Sequence, residues 1–334
     1  MKKFIIIASS IGTLLLGFGI IIIMAVAVGN YIGKEIESKQ YETLQLDKSV
    51  INNQLYASRY RNLLLKHIEK DGYIPLERLV FYLQRTNNVL DVTTLSDEKW
   101  EEAYMNNIDS EYHQMIPIKT LCKKLKSSSL PEYTITTGTN SSGVLIEKLD
   151  LCNIDGVDIT LSDDYNETMV ELPYVSPFSN DVSYTLTSMV FENRNVEFDI
   201  SQSLQNRVNY HSGWDFAVPI GTEFRSICDG KITSIVMTQA NDLPFDKQVG
   251  IKNETGNYIY VECDNGYISQ YLHIKYNRIV NGLKVGDEIK KGDVLGLTST
   301  TGLSTGPHLH LGLKTQEGVQ LDAFNYIQFV ELTE

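Results

Sequence analysis

Thr301-Gly302-Leu303-Ser304-Thr305-Gly306-Pro307-His308-Leu309-His310 is the stretch from which the C-terminal half can be read. Two glycines and a proline mark a turn that delivers the chain into an extended run. Residues two apart in such a run share a face, so His308 and His310 project together while Leu309 turns toward a core. An earlier stretch, His211-Ser212-Gly213-Trp214-Asp215-Phe216-Ala217-Val218-Pro219-Ile220-Gly221-Thr222, supplies matching chemistry. His211 and Asp215 are four apart and share a face if extended, and Gly213 between them leaves the backbone room to bend.

Between and beyond these stretches, short β-like runs are broken by glycines, as in Gly256 to Glu262, Gly266 to Tyr271 and Gly282 to Gly296. Turn signals at that spacing predict an antiparallel all-β domain. Pro173-Tyr174-Val175-Ser176-Pro177 reads as an extended linker, because two close prolines oppose helix and central strand alike. It sets a domain boundary, with the β-domain over 173–334. Upstream, Tyr133 to Thr137 and Val157 to Leu161 read as short strands. From Tyr31 to about Ser129 the pattern is helical. Ile51, Leu55, Tyr60, Leu63, Leu64 and Ile68 recur at three- and four-residue steps, and Asp71-Gly72 with Pro75 supplies a stop. Further helices are expected over Leu76 to Thr86, from an N-cap at Ser96 through Trp100 and Tyr104, and over Ile118 to Leu125. Residues 31–172 thus form a helical, then short-strand, middle module, and the fold class is α+β multi-domain.

Phe4 through Val28 contains no charged residue. As a helix rising about 1.5 Å per residue it would exceed a hydrocarbon core of about 30 Å. Residues 1–30 are therefore expected to be a cytoplasmic start and transmembrane anchor. Lys2 and Lys3 would stay in the cytoplasm, which places the bulk of the chain on the far side of the membrane, as a single-pass protein with a cytoplasmic N-terminus. A cleaved signal peptide is the competing reading, since Ala25-Val26-Ala27 fits a cleavage pattern, but the apolar run exceeds the usual h-region. Forty-two Asp and Glu against 29 Lys and Arg give a formal charge of −13, which argues against nucleic acid as a partner. Cys122, Cys152, Cys228 and Cys263 match no zinc-knuckle spacing. Outside the cytoplasm disulfides are allowed, with Cys122 and Cys152 falling in one domain and Cys228 and Cys263 in the other; four buried free thiols fit the sequence equally well.

The six histidines divide by context. His67 and His113 lie in polar helical surroundings and read as solvated imidazoles. His211, His273, His308 and His310 lie among glycines and short strands. A catalytic zinc site takes three N or O ligands and keeps one position open, which a His/Asp pair and one further histidine satisfy. The two histidines left over could take a proton from a metal-activated water or stabilise an oxyanion, an inventory suited to amide hydrolysis. Spacing alone does not choose between His308 and His310. Trp214 and the tyrosines read as core or cleft wall.

The ordered set of the 211–222 stretch, Asp229-Gly230-Lys231-Ile232, Gly256-Asn257-Tyr258, Asn265-Gly266, Tyr271-Leu272-His273 and the 301–310 stretch resembles the lysostaphin-type (LytM-like) zinc endopeptidases. The resemblance covers about Ser183 to Phe324. It implies that His211, Asp215 and His310 bind one zinc ion, with His308 and His273 as general base and oxyanion stabiliser. It further implies peptide stems or cross-bridges of bacterial peptidoglycan as substrate. Ser188 to Arg194 departs from the family's Ser-x-Phe-Gly-x-Arg segment, being one residue longer with Glu192 where glycine is usual. Leu311-Gly312-Leu313 replaces a frequent Phe-Glu, and Gln239 to Thr255 is longer than the usual loop. A membrane-anchored wall hydrolase is the leading expectation. Its rival is a docking or regulatory component of a trans-envelope assembly, serving sporulation, conjugation or secretion, in which the same fold acts without catalysis.

Overall fold

Leu309, Leu311 and Leu313 alternate with His308, His310 and Gly312 along one strand, and the leucines are fully buried. That alternation organises the C-terminal half as the sequence predicts. The structure is a computed structural model that describes residues 53–130, 135–139, 141, 143, 145–152, 172–192, 211–240, 255–279 and 282–330. The expected anchor over Phe4 to Val28, the helical reading of residues 31–52, the strand at Val157 to Leu161 and most of the 239–255 loop lie outside the described residues. Among the described residues no helix is long and apolar enough to cross a membrane.

The helices are α1 (Asn53–Asp71), α2 (Leu76–Asn87), α3 (Asp97–Asn106) and α4 (Ile118–Ser127). On α1, Tyr56, Tyr60, Leu64, His67 and Ile68 are buried at the spacing of one helix face. The helix stops at Asp71 because Gly72 has φ +93° and passes so close to His113 that a Cβ would lie 2.0 Å from its carbonyl oxygen. Ser96 precedes α3 as expected, but its side chain makes no cap hydrogen bond to the helix. Short hairpins follow, β1 (Ile108–Asp109) with β2 (Gln114–Met115) and β3 (Thr137–Thr139) with β4 (Leu145–Glu147).

The linker prolines flank β5 (Tyr174–Val175) rather than an unpaired segment. The remaining strands are β6 (Thr185–Ser188), β7 (Gly213–Ala217), β8 (Glu223–Arg225), β9 (Gly230–Val236), β10 (Tyr258–Cys263), β11 (Ile268–Leu272), β12 (Ile274–Ile279), β13 (Glu288–Ile289), β14 (Val294–Thr298), β15 (His308–Lys314), β16 (Gln320–Leu321) and β17 (Ile327–Gln328). The main sheet runs β13-β9-β10-β11-β15-β7-β6 with β16 on β15, and a second sheet runs β12-β14-β8. Both sheets are antiparallel as expected; β17 pairs with β5 in parallel.

Val50–Glu334 form one compact unit, in which the helical module packs directly on the β-domain. Tyr73 meets Trp214 and Phe324 edge-on, and Trp214 stacks on Phe324 at a centroid distance of 4.0 Å. The cysteines pair as Cys122–Cys152 and Cys228–Cys263. Two readings need correction. His67 is buried, not solvated: it stacks on Tyr104 and its Nδ1 and Nε2 lie 2.7 Å and 3.2 Å from Asp71 and Glu101, because α3 packs over α1. His113 is not helical either; it sits in the β1–β2 turn with φ +52° and is half-buried.

Candidate metal centre

In the pairing of β15 with β7, His310 stands opposite Asp215 and His308 opposite Ala217. Cross-strand neighbours on one face approach within side-chain reach, so the register places the Asp215 carboxylate beside both imidazoles. Gly213 and Gly312, opposite each other, leave the neighbouring step of that face without side chains. A Cβ at Gly213 would lie 2.4 Å from the Leu311 carbonyl oxygen and 2.7 Å from His310 Nε2, so glycine is required there for the histidine to lie flat against the sheet.

Three atoms converge in a triangle. His211 Nε2, Asp215 Oδ1 and His310 Nδ1 are each 3.0 Å from the other two, and all three residues are buried. His211 donates its Nδ1–H to the Met189 carbonyl at 2.9 Å, which directs the lone pair on Nε2 into the triangle. Burial foremost pushes the His310 pKa down to about 4, against the opposing pull of Asp215, so this imidazole is neutral. For Asp215, burial works to raise the pKa, but His211 and His308 together with the hydrogen bonds outweigh it and hold the carboxyl well below its ordinary range. Acceptor atoms packed this closely call for a cation among them. Tetrahedral zinc with bonds of about 2.0–2.1 Å separates its ligands by roughly 3.3 Å, so the triangle fits one face of that geometry and leaves the fourth position open.

The two remaining histidines flank the triangle. His308 donates its Nδ1–H to the Gly306 carbonyl at 2.8 Å, leaving Nε2 3.5 Å from Asp215 Oδ1. His273 donates its Nδ1–H to the Thr301 carbonyl at 2.6 Å, and its ring centroid lies 4.6 Å from that of His308. Burial first, then the charges of His308 and His310, hold the His273 pKa well below its ordinary value. The backbone of His273 has φ +62°, an uncommon conformation for a residue with a side chain. All five residues singled out in the sequence therefore meet in one place.

Several supports were assigned no role from the sequence, because they act through backbone carbonyls or distant partners; Asn257 stood in a quoted motif, but its task was not readable there. The carbonyls of Met189, Gly306 and Thr301 each fix one imidazole. Asn257 accepts the N–H groups of Thr238 and Gln239 on Oδ1 and donates from Nδ2 to the Gln239 and Ile274 carbonyls, while its own N–H donates to Thr301 Oγ1. It pins the loop that presents His273. Asp322 accepts the Trp214 indole N–H, the Tyr73 hydroxyl and the Phe324 N–H, next to the Asp215 position in the chain.

An antiparallel sheet that carries a buried His–Asp–His triangle with two oriented histidines beside it presents a group that could hold a metal ion and serve hydrolysis. Residues 209–323, about a third of the chain, match Peptidase family M23. Among similar proteins, Peptidoglycan DD-endopeptidase ShyA of Vibrio cholerae is 37% identical over 107 residues, covering 32% of this chain and 21% of ShyA. Glycyl-glycine endopeptidase ALE-1 of Staphylococcus capitis is 39% identical over 101 residues, 30% of this chain and 23% of that protein. Lysostaphin of Staphylococcus simulans is 35% identical over 101 residues, 30% of this chain and 17% of that protein. The chain spans about a fifth of the length of the curated relatives it matches.

Proposed function

We propose that this chain is a membrane-anchored zinc endopeptidase that hydrolyses peptide bonds of bacterial peptidoglycan. The observation that carries the reading is the 3.0 Å triangle of His211, Asp215 and His310 with His308 and His273 beside it. These three residues would hold the ion, which when bound supplies Lewis acidity to activate a water and polarise a scissile carbonyl. His308 Nε2 is the general base: its other nitrogen is committed to Gly306, so the lone pair faces the reacting centre, takes the proton of the attacking water and returns it to the leaving amine.

His273 has a more constrained part. With Nδ1–H given to Thr301, its Nε2 is an acceptor while the ring is neutral, and only the imidazolium can donate to an oxyanion. The oxyanion role therefore requires His273 to carry a second proton, separate from the one that His308 passes from the water to the leaving amine.

The anchor rests on the uncharged run from Phe4 to Val28, and an extracytoplasmic position is supported by two disulfides, Cys122–Cys152 in the middle module and Cys228–Cys263 in the β-domain, which persist in oxidising surroundings. The relatives bear the names of DD-endopeptidases and of a glycyl-glycine endopeptidase, so both D-amino-acid cross-links and glycine bridges are candidate bonds. Purified peptidoglycan of each type, incubated with the full-length protein in detergent and resolved by mass spectrometry, identifies the bond. Release of peptide fragments that stops in His308→Ala supports the reading; intact wall of both types with zinc-loaded wild type refutes it.

A further inference from the structure

The zinc-ligand turn is held from outside the β-domain. Residues 188–192 form a tight turn in which Phe191 has φ +61°, a costly conformation for a bulky residue that persists only where its surroundings impose it. Two backbone bonds join the turn to the ligand: the Phe191 N–H donates to the His211 carbonyl at 2.8 Å, and the His211 N–H donates to the Glu192 carbonyl at 2.9 Å. The Glu192 side chain folds back and accepts the Met189 N–H on Oε2 at 2.9 Å. Met189 in turn offers its carbonyl to His211 Nδ1–H, the bond that sets the tautomer and aim of the ligand.

What closes this loop of bonds comes from the helical module. Arg61 on α1, 131 residues away in sequence, donates from Nη1 to both oxygens of Glu192 at 2.9 Å and 2.7 Å. Both side chains are largely buried, so this is a desolvated ion pair whose carboxylate depends on its cation. Exposed ion pairs of this length contribute little, but removal of one partner here leaves a buried charge beside the ligand turn.

We propose that Arg61 and Glu192 are a positioning pair through which the helical module orients zinc ligand His211, so that the module completes the metal centre. This rests on the zinc reading of the site. Without Arg61, the Glu192 carboxylate rotates toward water, Met189 N–H loses its acceptor, and the carbonyl that aims His211 turns with it.

The test measures zinc affinity of the full-length protein in detergent by competition with a chromophoric chelator, the visible spectrum of the cobalt-substituted protein, and folding by circular dichroism. Loss of a partner that orients a metal-binding histidine weakens metal binding by about 10- to 100-fold, and Arg61→Met is expected to fall in that range and to alter the cobalt spectrum. Arg61→Lys, which restores the cation, recovers most of the affinity. In a Glu192→Gln background, where no buried carboxylate needs a cation, adding Arg61→Met changes affinity by less than about twofold, the non-additivity expected of residues acting in series. A folded Arg61→Met protein with wild-type affinity and an unchanged cobalt spectrum overturns the proposal and leaves Arg61 a stability residue. If Arg61→Met does not fold, Arg61→Gln takes its place, and wild-type affinity there overturns it equally. A wild type that takes up no zinc overturns the metal reading itself and the proposal with it.

Discussion

The indole N–H of Trp214 donates to Asp322 Oδ1 at 2.8 Å, and the other oxygen of the same carboxylate accepts the Tyr73 hydroxyl at 2.6 Å. One buried acid thus joins strand β7, which carries Asp215, to the segment that follows α1. Asp322→Ala leaves three buried donors unpaired, the Trp214 indole, the Tyr73 hydroxyl and the Phe324 N–H, and is expected to lower stability by about 3 kcal/mol or more, whereas Tyr73→Phe removes one neutral donor and costs about 1 kcal/mol. Urea unfolding of both variants checks the order; equal losses would contradict it.

Gly213 is expected to admit no side chain. The Cβ of Gly213→Ala would press on the Leu311 carbonyl and on His310 Nε2, which forces the ligand out of the triangle. Zinc affinity should fall at least about tenfold, the scale of lost ligand orientation. Gly306→Ala is the matched control, since a Cβ there meets nothing within 4 Å. Isothermal titration with zinc distinguishes the two; equal affinities would remove the steric account of Gly213.

The site was legible where its geometry follows from local periodicity and illegible where it depends on long-range packing. The alternation His308-Leu309-His310 shows both imidazoles on one face, and Leu309 is indeed fully buried. Period two could not separate the two histidines; the register does, by setting His310 opposite Asp215 and His308 one pair further along. The helix stop at Asp71 was visible in Gly72 and Pro75, and the helix expected over Leu76 to Thr86 runs one residue further, to Asn87. By contrast, polar neighbours made His67 look solvated, and only the packing of α3 and Tyr104 buries it. Glu192 stood out in the sequence only as a departure where glycine is usual, nothing local pointed to Arg61 as its partner, and the carbonyls of Met189, Gly306 and Thr301 carry no signal by nature.

Acidification is expected to weaken the metal-free protein. Burial holds His310 near a pKa of about 4 against its ordinary 6.5, and lowers His273 in the same direction. Between those values the unfolded chain binds protons that the folded chain refuses, so stability rises with pH, is complete above about 6.5 and is lost as pH falls toward 4. The melting temperature of chelator-treated protein should drop from pH 7 to pH 5, with a shallower slope in His310→Gln. Depression of Asp215 acts below its ordinary 3.8 and lies outside this window. A flat profile between pH 7 and 5 would contradict the sign.

The Cys228–Cys263 bridge joins positions 35 residues apart at the end of β10. Closing a loop of that length restrains the unfolded chain by roughly 3–4 kcal/mol in the chain-entropy account. Cys228→Ala/Cys263→Ala should therefore melt well below wild type while binding zinc with unchanged affinity, because both sulfurs lie beside Ser269 Oγ and neither belongs to the triangle. A change in zinc affinity would show that the bridge acts on the site.

The most direct test of the central claim is zinc content, by elemental analysis, alongside cleavage of purified peptidoglycan for the wild type, His310→Ala and His308→Ala. The account predicts about one zinc per wild-type chain, loss of metal and cleavage in His310→Ala, and retention of metal without cleavage in His308→Ala. A His310→Ala protein that keeps its zinc, or a His308→Ala protein that still cuts, would contradict the assignment of ligand and base.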